Sequence, residues 1–238
     1  MQGRPNSRNA GSMHKVTEPS ILYLGTPVVL ISTRNEDGST NVAPMSSAWW
    51  LGWSCMLGLA NGSLTTQNLL REKECVLNIP SVNQAAAVDK LARLTGSNPV
   101  PEGKLHRGYR HEKDKLGAGS LTAEMSDLVK SPRVKECPIQ MEAVFESVRQ
   151  FGSFEIKRPF GPESQKASVI SAIEVRIVRV HVEEALLVLD KSNHIDPDKW
   201  RPLIMSFAQF YGLGDRVQPS RLAEIPEESY RPFAAMSR

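Results

Sequence analysis

Apolar and polar residues alternate along several stretches of this chain, the two-residue period of strands with one buried face. In residues 53–60, Trp53, Cys55, Leu57 and Leu59 alternate with Ser54, Met56, Gly58 and Ala60. In residues 138–148, Ile139, Met141, Ala143 and Phe145 alternate with Gln140, Glu142, Val144 and Glu146. The longest run, residues 168–183, carries Val169, Ile173, Val175 and Ile177 on one face and Glu174 and Arg176 on the other. At Ile177-Val178 its apolar phase slips by one residue. Val178, Val180 and Val182 then continue it, with Arg179, His181 and Glu183 opposite. A slip that preserves alternation predicts a β-bulge in a long, curved strand. Residues 27–33 form instead an unbroken, largely β-branched run, which predicts a strand buried on both faces or set in a barrel wall.

Turn and helix signals fall between these runs. Asn35-Glu36-Asp37-Gly38 predicts a hairpin, and the return strand over 39–43 meets Pro44, whose missing N–H should break the pairing. Trp49, Trp50 and Trp53 load a short stretch that suits a core, a subunit interface or a ligand equally. At Asn61-Gly62-Ser63, Gly62 is free to take positive φ. Ser63, Thr65 and Thr66 then open a helix over 64–73. A short strand over 75–79 ends at Pro80. A second helix spans 85–94, with Val88, Leu91 and Ala92 on one face and Gly96 as a left-handed cap. Residues 97–133, rich in Gly and Pro without a clear period, read as an excursion of loop and short helix, and 151–166 as a polar loop. Asp196-Pro197 signals a helix start. Trp200, Leu203, Ile204, Phe207, Ala208 and Tyr211 share one helical face beyond it, with Pro202 breaking or kinking the first turn. Residues 1–19 are expected to be a disordered tail, 20–212 one domain, and 213–238 an extension over the surface or over a second subunit.

Composition narrows the function classes. A chain of 238 residues supports one sizeable core, burying roughly 70% of its unfolded surface, or two small domains. A net charge of +3 gives no strong case for nucleic acid or an anionic membrane. No apolar run approaches the ~18 residues of a membrane span. The N-terminal stretch lacks the apolar segment of a secretory signal. It is free of acids up to Glu18, a faint presequence-like feature, but an unstructured tail is preferred. Cys55, Cys75 and Cys137 are odd in number and far apart, which argues for reduced thiols in a cytoplasmic protein and against a zinc site or a disulfide frame. His106 and His111 lack a third ligand at metal spacing and read as surface residues, so no metal site is predicted. Lys104, Arg107, Tyr109, Arg110, Lys113 and Lys115 are offset by Glu102, Glu112 and Asp114 and read as a solvated face.

The helix start at Ser63 has two physical readings. Unpaired amides with nearby hydroxyls can cap themselves or hold a phosphate. Gly25-Thr26-Pro27-Val28-Val29-Leu30-Ile31-Ser32-Thr33, Asn41-Val42-Ala43-Pro44-Met45-Ser46-Ser47 and Ser63-Leu64-Thr65-Thr66-Gln67-Asn68-Leu69 occur in that order. Cys75-Val76-Leu77-Asn78-Ile79-Pro80 and Glu136-Cys137-Pro138-Ile139-Gln140-Met141-Glu142 follow. This series resembles the flavin reductase-like family of FMN-binding split-barrel proteins over roughly residues 22–212. The resemblance implies a mainly β, Greek-key split β-barrel with peripheral helices, forming a homodimer with FMN near the subunit boundary. It implies that Ala43, Pro44, Met45, Ser46 and Ser47 line the isoalloxazine. Asn61, Ser63, Thr65 and Asn68 would hold the ribityl phosphate, and Thr95-Gly96 matches another cofactor-contacting turn. FMN is favoured over FAD because no dinucleotide site is visible. NADH or NADPH would be the reductant, and free flavin or a small molecule the acceptor.

In one place the chain departs from that family. Members that reduce free flavin with NADH often carry Gly-Asp-His at the start of the penultimate barrel strand. Here Lys166-Ala167-Ser168-Val169 stands there. That leaves an FMN-binding electron carrier or flavin-delivery protein as a second reading, and a barrel interaction module without flavin as a third. His181 falls at a different family position and reads as a structural strand-face histidine. No catalytic side chain is assigned, since hydride transfer to a flavin needs no protein acid or base.

Overall fold

The computed structural model describes residues 14–152 and 170–230. β1 (Leu24–Pro27) and β2 (Val29–Arg34) are separated by Val28, whose N–H leaves the ladder to bond the Leu203 carbonyl. β2 turns through Gly38, at φ +81°, into β3 (Thr40–Met45). β4 (Ala48–Leu51) and β5 (Ser54–Ala60) make the next hairpin, and α1 (Leu64–Glu72) leads to β6 (Glu74–Ile79). After α2 (Ala85–Leu91) come short pieces: β7 (Leu94–Thr95), α3 (Glu102–Leu105), β8 (Arg110–His111) and α4 (Lys115–Gly119). A small ladder of β9 (Ala123–Glu124) and β10 (Arg133–Val134) precedes the two longest strands, β11 (Ile139–Gln150) and β12 (Ile170–Val182). Two hairpins follow, β13 (Leu187–Val188) with β14 (Lys191–Ile195) and β15 (Ile204–Ser206) with β16 (Gln209–Tyr211).

Seven strands form one antiparallel sheet in the order β3-β2-β6-β11-β12-β5-β4. Ile31, Ala48, Leu57, Leu77, Ala143 and Ile173 meet in one buried cluster, although they come from six of those strands. These side chains share one face of the sheet, which covers a single core. The opposite face of β2 sends Leu30 into a second cluster with Val88 and Leu91 of α2 and with Leu203. β2 is therefore buried on both faces, as its unbroken apolar run requires. Cys55 and Cys75 lie in the inner cluster and Cys137 in the outer one, all as free thiols. Burial pushes the Cys55 thiol up to about 12 and raises those of Cys75 and Cys137 as well.

The bulge lies where the phase slip puts it. Ala143 pairs with Ile177 and Glu142 with Arg179, so Val178 has no partner in β11. Several other expectations give way to tertiary context. Residues 200–211 are not helical; they supply the β15–β16 hairpin, which turns through Phe207 and Ala208, both at positive φ. Pro202 lacks the amide a helix needs, while β1 offers an open edge that β15 pairs with. The Asp196 carbonyl closes only a single turn, accepting from the Lys199 and Trp200 amides. Pairing also continues through Pro44, which faces Leu30, because β3 is an edge strand whose outer side needs no donor. Gly96 is no helix cap: α2 ends at Leu91 with Ala92 right-handed, and Leu94–Thr95 pairs in parallel with Arg110–His111. Ala92 and Trp53 are exposed, and Gly62 is absent from the positive-φ residues. Residues 212–230 run over the surface as exposed turns. The expected tail before residue 14, most of the 151–166 loop and the Lys166–Val169 segment lie outside the described residues.

Five consecutive backbone amides, from Asp127 to Ser131, bond to two carboxylates. Glu142 accepts from Asp127, Leu128 and Val129 at 2.8, 2.6 and 3.2 Å, and Glu74 from Lys130 and Ser131 at 2.6 and 2.8 Å. His181 Nε2 adds a further contact to Glu142 at 2.7 Å, so this histidine has a structural partner. Burial alone would raise the Glu142 carboxyl, but these donors outweigh it and hold it below the usual carboxylate range. Glu142→Gln should cost about 3 kcal/mol at neutral pH, because a fully buried acceptor loses its charge and an NH2 meets donors. The depressed carboxyl stabilises the fold above its unfolded pKa, and that contribution is lost as pH falls through its folded value. Urea unfolding of both proteins across the acid range checks this; the difference between them should shrink toward low pH.

Candidate functional site

The chain enters α1 through Ser63, whose Oγ accepts the Thr66 amide at 3.2 Å and lies 2.8 Å from Thr66 Oγ1. Thr66 Oγ1 in turn donates to the Ala60 carbonyl at 2.8 Å. These two hydroxyls therefore close the strand-to-helix turn. Thr65 and Asn68, three residues apart, share the helix face turned to β2 and β3. There Asn41 Nδ2 donates to Thr33 Oγ1 and to Thr65 Oγ1, both at 3.0 Å. Asn68 Nδ2 donates to Asn35 Oδ1 at 2.7 Å and to Thr33 Oγ1 at 3.2 Å. Asn41 is 2% exposed and Asn68 0%. Both amide nitrogens are engaged, yet both amide oxygens are buried without a donor.

Those side chains border a cleft of about 730 Å³ that runs along α1, between the 35–39 turn and residues 96–98 and 111–115. Gly96 forms part of its wall. A Cβ there would sit 2.5 Å from Leu64 Cδ2 and 3.1 Å from Asn41 Oδ1, so a side chain would crowd that wall. Arg71, Lys113 and Lys115 also line it. Arg71 pairs with Glu72 at 2.9 Å and reaches Glu36 at 3.7 Å, and Lys113 reaches Asp37 at 3.6 Å. Lys115, the first residue of α4, is 3% exposed, and its side chain makes no hydrogen bond or ion pair among the described residues. Burial, helped by the charge of Lys104, lowers its ammonium to about 8.

Of the residues expected at a site, Asn68 and Gly96 line this cleft, and Thr65 lies beneath Asn41. Thr95 is buried and accepts from Lys104 Nζ at 3.0 Å and from the Ser97 amide at 3.3 Å. Ser63 serves the helix cap. Asn61 is exposed and accepts from Ser171 Oγ at 2.7 Å, away from the cleft. Ala43 and Met45 share the β3 face that carries Asn41, and Pro44 takes the other. Ser46 is half-buried in the link to β4. Ser47 latches that link to β5: its carbonyl accepts the Gly58 amide at 2.7 Å, and its hydroxyl donates to the Gly58 carbonyl at 2.6 Å. Lys115 is a correction, since it is not part of a solvated face. Its segment has no period to mark an inward side. Asn41 and Arg71 also escaped notice as cleft residues, Arg71 because it reads as an ordinary surface position of a helix.

Asp127, Glu142 and His181 place one ligand atom each within 4.8 Å of one another. The Glu142 oxygens are already occupied by three amides and by His181, so this cluster ties down the 127–131 loop.

The family model described as flavin reductase like domain matches residues 22–197. The uncharacterized protein YdfE of Bacillus subtilis is 39% identical over 203 residues, covering 85% of this chain and 91% of its own. Among solved structures, flavoredoxin of Desulfovibrio vulgaris superposes with a TM-score of 0.66 at 19% identity, over 90% of this chain and all of that one (100%). Nitrilotriacetate monooxygenase component B from Bacillus cereus gives 0.66 at 18%, over 88% and 100%. These likenesses, with that to a split-barrel putative flavin reductase from Shewanella frigidimarina at a TM-score of 0.60 and 17% identity over 82% and 85%, show the split-barrel fold.

Lys115→Met should stabilise the ligand-free protein. Burial lowers the ammonium from the ordinary lysine value of 10.5 to about 8, so its cost is complete below pH 8 and disappears as pH rises through 10.5. The expected gain is on the order of 3 kcal/mol near neutral pH and falls away in alkali. Denaturant melts at neutral and alkaline pH test it.

Proposed function

Because the chain belongs to the flavin reductase-like family, we propose that it is an FMN-binding oxidoreductase that takes electrons from NADH or NADPH and passes them to flavin or a small acceptor. The observation that carries this reading is the polar cleft beside α1, with its donor-starved amide oxygens, beside the same β3 that carries Ala43, Pro44 and Met45 and runs on into Ser46 and Ser47. The residues fit the polar end of such a group: Asn41 and Asn68 supply acceptors for hydroxyls, and Arg71, Lys113 and Lys115 supply positive charge. When bound, FMN supplies the redox step by accepting a hydride from the reduced nicotinamide. The protein's part is to orient and to exclude water. Ala43, Pro44, Met45 and Ser46 offer a small, half-exposed wall for a planar ring, and the Ser47–Gly58 latch holds that wall against β5. The Gly58 position matters for the latch, since a Cβ there would meet Ser47 Cβ at 3.1 Å. Asn61, Ser63, Thr65 and Thr95 act through the turn and the helix seat around the cleft.

A second reading, an FMN-binding electron carrier or delivery protein without nicotinamide turnover of its own, is favoured by Lys166-Ala167-Ser168-Val169 in place of Gly-Asp-His. The absorption spectrum of the purified protein decides between them, recorded after FMN addition and desalting and again after anaerobic NADH or NADPH. The expected outcome is retained flavin that bleaches. Retained flavin that stays oxidised with both nicotinamides selects the carrier, and no retained flavin and no turnover with excess FMN removes both.

The chain is further proposed to work as a homodimer. Trp49, Leu51 and Trp53 project from the β4–β5 hairpin at the end of the sheet, with Leu51 76% and Trp49 58% exposed. Leu22 and Leu24, at the start of β1, are also exposed, and β1 touches β4. Large apolar side chains crowded at a sheet end are unusual on a monomer's surface. Sedimentation at micromolar concentration should give a dimer, and Leu51→Glu should shift it to monomer without loss of helix or strand signal. A monomeric parent protein would sink the interface.

A further inference from the structure

We propose that Arg93, Lys104 and Arg107, gathered around Tyr109, bind the 2′-phosphate of NADPH and so make NADPH rather than NADH the reductant. The identity of the ligand rests on the oxidoreductase reading above; the cluster stands on the geometry. After α3 the chain doubles back, the Arg107 and Tyr109 amides both returning to the Lys104 carbonyl and the Gly108 amide to that of Leu105. This sets Tyr109 beside Lys104. Lys104 Nζ and Arg107 Cζ each stand 5.7 Å from the centroid of its ring. Arg93 joins them from the turn after α2. Its carbonyl accepts the Arg110 amide at 3.1 Å. Its guanidinium lies against Gly108, where a Cβ would meet Arg93 Nη1 at 3.3 Å.

These cations are unbalanced and held in place. The charged groups around them are matched: Arg110 pairs with Glu112 at 3.4 Å, His106 with Glu102 at 3.6 Å and Lys113 with Asp37 at 3.6 Å. Arg93, Lys104 and Arg107 have no carboxylate partner among the described residues. Like charges gathered at a half-buried ring repel one another, and a bound anion relieves them. Burial, and after it the charge of Arg107, lowers the Lys104 ammonium. Lys104 Nζ donates to the buried Thr95 Oγ1 at 3.0 Å, and Arg107 Nε to the Gly103 carbonyl at 2.8 Å. Anchoring through Nε leaves the two terminal nitrogens of Arg107 without a hydrogen bond among the described residues. Such a pair can meet two phosphate oxygens at once.

The place of the cluster selects the anion. Thr95, which takes the Lys104 ammonium, is followed by Gly96 in the wall of the cleft beside α1. Gly96 faces Asn41 near the start of β3. Met45, in the wall proposed for the flavin ring, lies four residues further along that strand, about 14 Å away. A hydride donor that reaches the ring at one end and Tyr109 at the other is a long molecule with an anion at its far end. NADPH has that form. Its 2′-phosphate is a dianionic monoester for the cations, and the adenine beside it is a flat partner for a guanidinium plane. NADH carries an uncharged hydroxyl there, which leaves the three cations unrelieved.

Two measurements on the full chain and on Arg107→Ala and Arg93→Ala test this. Both arginines are exposed, so the variants should melt as the parent does. Steady-state oxidation of NADPH and NADH with excess FMN gives the ratio of their kcat/KM values. Titration calorimetry with adenosine 2′,5′-bisphosphate, AMP and inorganic phosphate reads the site without flavin or turnover. The parent should prefer NADPH by about 30-fold or more and bind the bisphosphate but not AMP. Each variant should lose about 10-fold in the NADPH to NADH ratio, through KM, and as much in bisphosphate affinity. Equal use of both nicotinamides, or an unchanged ratio in both variants, overturns the inference and leaves the oxidoreductase reading standing. If neither nicotinamide is oxidised, that reading fails and calorimetry judges the site alone. Bisphosphate binding that is lost in Arg107→Ala then upholds the site, and no binding overturns it. Inorganic phosphate bound as tightly as the bisphosphate also overturns it, since the cluster then holds a bare anion only.

Discussion

Polar side chains cannot be taken out of water unless the protein replaces the hydrogen bonds they lose. The seat of α1 is built on that constraint. Thr33 receives two amide nitrogens, from Asn41 and Asn68, and Thr65 receives a second bond from Asn41. Asn35 and Ser39 complete the relay at the hairpin. This network fixes where the helix lies on β2 and β3. It also decides which atoms are left over. The cleft follows from the helix position, its acceptors from the leftover oxygens, and its cation from the loop that α4 closes over it.

The same constraint explains how residues 127–131 hold a shape without regular structure. A loop with five adjacent inward amides would be unstable unless acceptors were waiting for them. Glu142 and Glu74, from neighbouring strands of the barrel, are those acceptors. Carboxylates bring lone pairs enough to serve several donors each, which neutral side chains do not. Where α1 is docked with spare acceptors, this loop is docked with none to spare, and only the first arrangement has the character of a binding site.

What could be read from the chain depended on how local the cause was. Alternation in residues 53–60, 138–148 and 168–183 is set by one buried face, so the strands and even the unpaired Val178 were legible. So was the cap at Ser63. Residues 200–211 were misleading because their apolar spacing satisfies a helix, while the deciding partner, β1, is nearly 180 residues away. Pro44 was misleading for a related reason: whether a missing N–H matters depends on whether a strand has a neighbour on that side. Thr65 and Asn68 were marked as polar groups with a purpose, but their partners Thr33 and Asn35 are fixed only by the folded register. Lys115 carried no periodic signal at all. It stands at the start of the five-residue α4, which packs on α2 and β3, elements distant in sequence.

The three cysteines have a consequence for how the molecule meets oxidants and alkylating reagents. A thiol reacts as its thiolate, and burial suppresses that form at Cys55, Cys75 and Cys137 while also denying access. Modification must therefore wait for the chain to open, and its rate reports the free energy of opening. Cys137 belongs to the layer between the sheet and α2, whereas Cys55 and Cys75 belong to the barrel interior. The chain thus carries two intrinsic clocks, one for detachment of its outer shell and one for rupture of the barrel itself.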